Sequence, residues 1–245
     1  MSLPVHWVPS LTDARPGAVV QVEGDEAHHA VAVRRLRVGE RLALTDGLGT
    51  RVVGEVAVTG KRRLEVRVVD VERHERPAPS FTVVQALPKG DRGELAVEVL
   101  TEVGVDRVVP WGAARSVAVW KGERAVRAHG KWAATAREAA KQSRRSWFPE
   151  VSSLASTAEV ADLVAGADLA VVLHEDAAAT VSGLEVPDGR VVVVVGPEGG
   201  LTDEEVAVLE EAGARTLRLG TEVLRTSTAG VVAVGALMAR TARWA

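Results

Sequence analysis

The sequence lacks several residue types and patterns that define whole classes of protein. It contains no cysteine, which excludes disulfide scaffolds, thiolate metal sites and cysteine nucleophiles. No stretch approaches the roughly 18–20 continuous apolar residues of a membrane-spanning helix. The N-terminus has neither the charged nor the apolar region of a signal peptide. We therefore expect a cytoplasmic protein that has no membrane partner.

Metal-binding and nucleophile motifs are also missing. The six histidines include no pair at His-x-x-x-His spacing, so we expect no metal. No Gly-x-Ser-x-Gly element supports a serine nucleophile. The net charge of −3 argues against a protein that coats nucleic acid through bulk charge, although a local basic patch stays open.

The sequence divides into two regions with different patterns, which lie on either side of a charged and proline-rich segment at residues 73–80. Before this segment, short alternating stretches predict the strands of a small β-barrel, at residues 18–22, 40–47, 51–58 and 63–71. Residues 25–38 predict a short helix, with Asp25 near its cap. We therefore divide the chain into a first domain, residues 1–75, and a second domain, residues 76–245.

Strands alternate with helices in the second domain, which predicts a parallel sheet with helices on both faces. The predicted strands cover residues 81–87, 106–111, 168–175, 191–195 and 216–220. The predicted helices cover residues 92–103, 131–143, 156–166, 203–212 and 227–243. Two of these helices begin with capping-box spacing, at Ser156 with Glu159 and at Thr202 with Glu205.

The valine run Val191–Val195 has no polar face, which is typical of a strand buried on both sides. It ends in Gly196-Pro197-Glu198-Gly199-Gly200, where glycines permit a ligand to approach the main chain. The loop lacks the Gly-Lys-Ser/Thr ending of a Walker A loop and the spacing of a dinucleotide fingerprint. It is either a ligand loop of another type or a tight turn whose glycines serve packing only.

Two other polar loops follow apolar strands, at His174 and at residues 220–229. Because the carboxyl ends of parallel strands lie at one edge of a sheet, we expect all three loops to converge there.

Five segments of the chain, in this order, resemble one family: DEAHHAVAVRRLRVGE, LPKGDRGELAVEVLTEVGVDRVVPW, REAAKQSRRSWFPEV, GPEGGLTDEE and LRLGTEVLRTSTA. They are similar to the ribosomal RNA small subunit methyltransferase E family, and the resemblance extends over most of the chain. The resemblance implies a PUA-like β-barrel followed by a SPOUT-type α/β domain with a parallel sheet and a C-terminal trefoil knot. It also implies a homodimer that transfers a methyl group from S-adenosylmethionine to N3 of a uridine. The implied partner is 16S rRNA or the small ribosomal subunit.

The resemblance also implies roles for particular residues. Cofactor contacts are expected from the three loops, at Leu173, His174, Glu175, Gly196, Pro197, Glu198, Gly199, Gly200, Leu219, Gly220, Leu224, Thr226 and Ala229. Arg225 is expected to stabilise the uridine anion, the alternative being a structural ion pair. Glu198 and His174 are both candidates to accept the N3 proton, and Glu198 alternatively orients its loop. RNA contacts are expected at Arg34, Arg35 and Arg37 in the first domain, and at Lys89, Arg92, Arg144 and Arg145 in the second.

Two positions depart from the family pattern. Ser227 stands where the family usually has glutamate, which puts any catalytic role of that glutamate in doubt. Lys141 also replaces a usual glutamate, and we expect it to add positive charge near the RNA face. Two other functions stay open: a knotted methyltransferase for another RNA, such as a tRNA, and an inactive RNA-binding assembly factor.

Overall fold

Two sheets of different construction account for the fold, and each belongs to its own unit. The computed structural model describes residues 3–244. The first unit runs to Arg76 and also contains Lys141–Phe148, whereas the second contains Pro77–Ala140 and continues from Pro149. The chain thus leaves the first unit within the proline-rich segment. The sequence assigns residues 141–148 to the second domain, but the structure packs them with the first unit.

The sheet of the first unit has the strand order β1-β3-β4-β5-β2. The strands are β1 Val5–Trp7, β2 Val19–Glu23, β3 Arg41–Thr45, β4 Thr50–Thr59 and β5 Arg63–Arg73. Strand β1 runs parallel to β3, and the other pairs are antiparallel. Register shifts interrupt the long β4–β5 pairing, and such bulges increase the local bend and twist. Within the described chain the end strands β1 and β2 are not paired with each other, so the predicted barrel is a curled half-barrel.

The helix predicted at residues 25–38 is shorter than expected. Helix α1, Gly24–His28, continues only as a π-helical turn, His29–Val33. Its N-cap is Glu23, which makes no side-chain capping bond, and Asp25 lies two residues further on in the first turn, near the cap as predicted. Arg35 has a left-handed φ of 57°, which an ongoing right-handed helix does not permit.

The segment 141–148 docks on the turn between β3 and β4. Gly49 has a φ of +96°, and a Cβ there would lie 2.5 Å from the ring of Trp147. The Gly49 amide donates to the Ser146 carbonyl at 2.9 Å, and the Phe148 amide donates to the Gly47 carbonyl at 2.9 Å. The glycines of this turn therefore serve a long-range contact as well as a local bend.

The sheet of the second unit is entirely parallel, in the order β11-β9-β10-β6-β7-β8. The strands are β6 Ser80–Ala86, β7 Arg107–Trp111, β8 Glu150–Val151, β9 Leu169–Leu173, β10 Arg190–Val195 and β11 Arg215–Leu217. The helices are α2 Arg92–Val103, α3 Gly122–Gln142, α4 Thr157–Ala165, α5 Asp203–Glu211 and α6 Thr226–Met238. Both predicted capping boxes are present, at Ser156 and at Thr202.

The valine strand β10 lies between β6 and β9, near the middle of the sheet. Each of its five valines is at most 4% exposed. Val191, Val193 and Val195 pack into the core formed with α2, α3 and α6, whereas Val192 and Val194 pack into the core formed with α4 and α5. The predicted parallel sheet with helices on both faces is therefore confirmed.

Three differences from the prediction concern weak local signals. Helix α3 begins at Gly122, well before the predicted start at Lys131, because its first turns are mostly exposed and carry little apolar periodicity. The short strands β1 and β8 have no sequence pattern from which they could be predicted. Helix α6 ends at Met238 instead of residue 243, and Arg243 turns back to pair with Asp106.

No helix of the described chain combines the length and apolar character needed to cross a membrane.

Candidate active site

A cavity of about 640 Å³ lies at the carboxyl ends of β9, β10 and β11, beside the start of α6. Its lining contains every residue that the sequence assigns to the cofactor: Leu173, His174, Glu175, Gly196, Pro197, Glu198, Gly199, Gly200, Leu219, Gly220, Leu224, Thr226 and Ala229. The lining also contains Arg225 and Arg92. The structure thus brings these residues together, and their contact with a cofactor stays a prediction.

The strand order explains why the three loops converge. Strand β9 pairs in parallel with β10 on one side and with β11 on the other. In register, Val172 lies opposite Val194 and Thr216. The three strands therefore end at one edge, and the loops that follow them share one space.

A buried chain of hydrogen bonds holds two of these loops to the sheet. Gln85 on β6 is fully buried, and its Nε2 donates to Thr226 Oγ1 at 3.0 Å. Thr226 Oγ1 in turn donates to the Gly196 carbonyl at 2.7 Å. The first residue of α6 is thereby fixed against the glycine loop, which sets the shape of the cavity between them.

Glu198 ties the glycine loop to the segment between β6 and α2. Its Oε1 accepts from the Lys89 amide at 3.2 Å and lies 3.7 Å from Arg92 Nη1. Both contacts involve the same carboxylate oxygen. Glu198 therefore makes the loop-orienting hydrogen bond that the sequence left as the alternative to a proton-accepting role.

His174 is half-buried, and its Nδ1 accepts a hydrogen bond from the Asp176 amide at 3.2 Å. A neutral imidazole that accepts at Nδ1 carries its proton on Nε2. This tautomer is assigned from the hydrogen bond, since a backbone amide can only donate. Neither ring nitrogen of neutral His174 is then free to take a proton while this bond persists.

Arg225 is exposed and is the N-cap residue of α6. Its carbonyl accepts from the Thr228 and Ala229 amides, whereas its guanidinium forms no ion pair within the described chain. The structural ion pair considered as its alternative role is therefore absent from residues 3–244. Ser227, where the family usually has glutamate, is 4% exposed and does not line the cavity.

Arg115 and Glu205 also shape the site, although neither role could be predicted from the sequence. Arg115 Nη1 donates to the carbonyls of Gly199 at 3.3 Å and Leu201 at 3.0 Å. Glu205, the last member of its capping box, is 5% exposed and accepts from the Ala114 amide at 2.8 Å. The segment that contains Ala114 and Arg115 carries no sequence pattern, so only the capping box gave any signal.

The basic residues expected to bind RNA fall into two groups. Arg34, Arg35, Arg37, Arg144 and Arg145 all belong to the first unit, although the sequence places the last two in the second domain. Lys89 and Arg92 belong to the second unit, where Lys89 is exposed.

Lys141 differs from its expected role at an RNA face. Its ammonium lies 2.5 Å from Glu26 Oε1, and its side chain is only 11% exposed. The charge is thus neutralised inside the first unit, and that expectation is wrong.

The chemistry of the cavity lining fits a ligand that carries both signs of charge and an apolar ring. Four cations line it, namely Arg92, Arg115, Arg218 and Arg225, together with five acids, namely Glu175, Asp176, Glu198, Asp203 and Glu222. Leucine and alanine side chains supply apolar surface between them. S-adenosylmethionine has an adenine ring, a sulfonium, an ammonium and a carboxylate, so this donor set suits it. Within residues 3–244 no group of three or more histidines or acids is arranged to hold a metal ion.

Comparisons with known proteins agree with this geometry. Residues 74–238 match the family model described as an RNA methyltransferase domain, and residues 22–69 match that of an RNA methyltransferase PUA domain. The ribosomal RNA small subunit methyltransferase E of Mycobacterium bovis is 44% identical, over 98% of this chain and 93% of that protein. The Bacillus subtilis protein of the same name is 32% identical, over 90% of each. A Neisseria gonorrhoeae ribosomal RNA small subunit methyltransferase E, crystallised bound to S-adenosyl methionine, is 25% identical with a TM-score of 0.86, over 97% of this chain and 98% of that chain.

Proposed function

This chain belongs to the ribosomal RNA small subunit methyltransferase E family, and we propose that it methylates N3 of a uridine in 16S rRNA. The methyl donor is S-adenosylmethionine, and the product is 3-methyluridine. The observation that carries the proposal is the convergence of three loops from neighbouring parallel strands around one cavity of about 640 Å³. The substrate is 16S rRNA or the small ribosomal subunit. Because this substrate is in the cytoplasm, the proposed reaction takes place there.

In this reaction the protein has three main tasks. It positions the uridine and the methyl donor, it excludes water, and it accepts the N3 proton. When bound, S-adenosylmethionine supplies a methyl group on a sulfonium centre, which is already activated. Uridine N3 holds a proton at neutral pH and must lose it before its lone pair attacks. The N3–C bond then forms as the C–S bond breaks, which leaves the thioether S-adenosylhomocysteine.

Arg225 is the residue we assign to stabilise the negative charge that develops on uridine O2 or O4. Its guanidinium is exposed, lines the cavity and has no ion-pair partner in residues 3–244. A cation at the point where charge develops lowers such a barrier by electrostatic stabilisation.

Glu198 is the residue we assign as proton acceptor, in preference to His174. A carboxylate has two oxygens, and the contacts of Glu198 to the β6–α2 segment both use Oε1. His174 instead accepts the Asp176 amide at Nδ1, which leaves its neutral ring a donor at Nε2. Orienting the loop and accepting the proton are therefore compatible roles for Glu198.

The cofactor contacts are assigned to the three loops and the first turn of α6. Leu173, Leu219 and Leu224 offer apolar surface for the adenine, while backbone groups at Gly196 and Gly199 permit close approach. We assign RNA contacts to Arg34, Arg35, Arg37, Arg144 and Arg145 in the first unit and to Lys89 and Arg92 in the second.

A homodimer is also part of this proposal. Several apolar side chains of the second unit are exposed, among them Val208 at 39%, Val223 at 76% and Val232 at 45%. Exposed apolar side chains of this kind mark surfaces that associate when they form a continuous patch. Sedimentation equilibrium tests the dimer, and a monomer at every concentration would contradict it. The trefoil knot that the resemblance implies stays a prediction.

Two measurements separate this function from its alternatives. Calorimetry with S-adenosylmethionine should show binding, whereas no binding would favour an inactive assembly factor. Mass spectrometry of 16S rRNA from a deletion strain should show loss of 3-methyluridine. Retention of 3-methyluridine, together with a loss of methylation in tRNA, would favour another RNA as substrate.

A further inference from the structure

A second cavity, of about 310 Å³, lies in the second unit and shares no lining residue with the first. It is formed by the N-terminal half of α3, the start of α2 and the segment between β6 and α2. None of the roles assigned above uses its side chains. We call it the indole cavity, because Trp120 and Trp132 both line it.

The two indoles of this cavity are held in place by packing. Trp132 is 3% exposed and lies against Gly93 on α2, where a Cβ would come within 2.6 Å of its Cζ2. Trp120 is half-buried and packs edge-to-face on Trp132, with ring centroids 5.0 Å apart. The cavity wall therefore carries a fixed aromatic surface that is still open to solvent.

Three cations border the same cavity. Arg124, Arg127 and Lys131 lie three and four residues apart on α3, and this spacing places them on one face of the helix. All three are exposed, and none forms an ion pair within the described chain. Glu94 is the only acid among the lining residues, all of which the structure describes. The cavity is thus an aromatic surface under a net positive charge.

The indole cavity borders the candidate active site through one short segment. Pro88 and Gly90 line the indole cavity, while Arg92 lines the active-site cavity. Between them, the Lys89 amide donates to Glu198, the residue assigned as proton acceptor. A ligand in the indole cavity would therefore lie beside the loop that shapes the catalytic cavity.

We propose that the indole cavity binds one unpaired nucleotide of the RNA substrate, next to the uridine that is methylated. Its base stacks on Trp120, and its phosphates pair with Arg124, Arg127 and Lys131. Every base has a face that stacks on an indole, and cations along a groove hold the backbone of a single strand. Unpaired and splayed-out bases are also the part of RNA that proteins usually read. The inference rests on the proposed function, because it takes RNA as the substrate.

Two single substitutions in the full chain test the proposal: Trp120→Ala and Arg127→Glu. The probes are a fluorescein-labelled single-stranded RNA decamer for binding and a full-length 16S rRNA transcript for turnover. We expect Trp120→Ala to weaken decamer binding by about 5- to 100-fold, with Trp120→Phe recovering much of the loss. Arg127→Glu should raise the KM for the transcript and reduce the salt dependence of binding by about one phosphate contact. In both variants, kcat and the affinity for S-adenosylmethionine should stay near the wild-type values.

Arg215→Glu is the matched control. Arg215 is exposed, begins β11 and lines neither cavity, and its substitution changes the net charge by the same amount. If Arg127→Glu and Trp120→Ala bind the decamer as tightly as Arg215→Glu does, the proposal is overturned. Unchanged RNA binding with lost binding to small ribosomal subunits would assign the cavity to a protein and overturn it as well. Failure of the wild type to bind S-adenosylmethionine would instead remove the proposed function while leaving the decamer result readable.

Discussion

The two units bring their functional residues together in different ways. In the second unit, the active-site cavity is lined by loops that each follow directly on a strand of one parallel sheet. In the first unit, the arginines assigned to RNA come from the turn after α1 and from a segment that returns from the end of α3. One arrangement follows from strand order, and the other depends on contacts between segments distant in the chain.

Glu26 joins remote segments of the first unit. Its Oε1 pairs with Lys141 Nζ at 2.5 Å, and its Oε2 lies 3.4 Å from Nδ1 of His6, which is 2% exposed. Three segments of the chain thus meet at one carboxylate. Burial raises the pKa of Glu26, but its hydrogen bonds to His6 and Lys141 and their charges together outweigh it and lower the pKa to about 2. The first unit thus joins remote segments through an ion pair, whereas strand order brings the loops of the second unit together.

The largest expected effect concerns catalysis in the second unit. Arg225→Ala removes the one cavity-lining guanidinium that we assign to the transition state, so turnover should fall by about 10²- to 10³-fold. Cofactor affinity should change little, because this cation is assigned to the uridine. The measurements are transfer of labelled methyl to 16S rRNA and calorimetry with S-adenosylmethionine.

Arg218→Ala is the companion variant, since Arg218 also lines the cavity and has no assigned role in the reaction. Equal losses of turnover in both variants would mean that general charge at the cavity matters, and would remove the specific role of Arg225.

Much of the second unit could be predicted because its signals are local. The valine run, the glycine loop and the Thr202–Glu205 capping box each lie within a few residues, and together they place a loop at the edge of a sheet. Strand order then brings the loop after β9 beside it. The hydrogen bond from Gln85 to Thr226 could not be predicted in this way, because the two residues are 141 apart in the chain.

The first unit shows what local patterns miss. Lys141 reads as a surface cation at the end of an alanine-rich helix, and nothing near it in the sequence indicates Glu26 as its partner. Gly49 carries no signal of a long-range contact in the sequence, yet it leaves room for Trp147. In both cases the partner comes from a remote segment, so that periodicity and spacing carry no information about it. For the same reason, the hydrogen bond from Arg115 to the Gly199 carbonyl of the glycine loop could not be predicted.

Glu26→Gln tests the electrostatic pairing of the first unit. The substitution keeps the shape of the side chain but removes the negative charge that Glu26 supplies to the largely buried ammonium of Lys141, which should cost about 2–3 kcal/mol of unfolding free energy. Hydrogen–deuterium exchange of the full chain should show faster exchange in β2 to β5. The strands β6, β9 and β10 should exchange as in the wild type.

A double variant, Glu26→Gln with Lys141→Met, sharpens the result. Replacing both members of a buried pair is often close to neutral, so much of the lost stability should return. If the double variant is as unstable as the single one, the loss came from packing and not from the broken ion pair.

Acid should weaken the first unit through the same carboxylate. The folded-state pKa of Glu26, about 2, lies below the ordinary glutamate value of 4.5. Its ionised form therefore contributes stability that is fully present above about pH 4.5 and is lost as the pH falls toward about 2. In urea titrations, the gap in unfolding free energy between wild type and Glu26→Gln should shrink to under about 1 kcal/mol near pH 2. A gap that stays constant down to that pH would show that the charge of Glu26 does not contribute.

Thr226→Val makes the smallest change, and it tests whether the second unit depends on more than strand order. Valine keeps the shape of threonine but removes the hydroxyl that links Gln85 to the Gly196 carbonyl, so both partners lose a hydrogen bond inside the protein. We expect a loss of about 1–2 kcal/mol of unfolding free energy. The affinity for S-adenosylmethionine should fall by about 5- to 10-fold, because the glycine loop loses its tie to α6. Thr228→Val is the control, since that hydroxyl bonds only to the Arg225 carbonyl one turn earlier. If the two variants bind the cofactor equally well, the order of the strands alone is sufficient to shape the cavity.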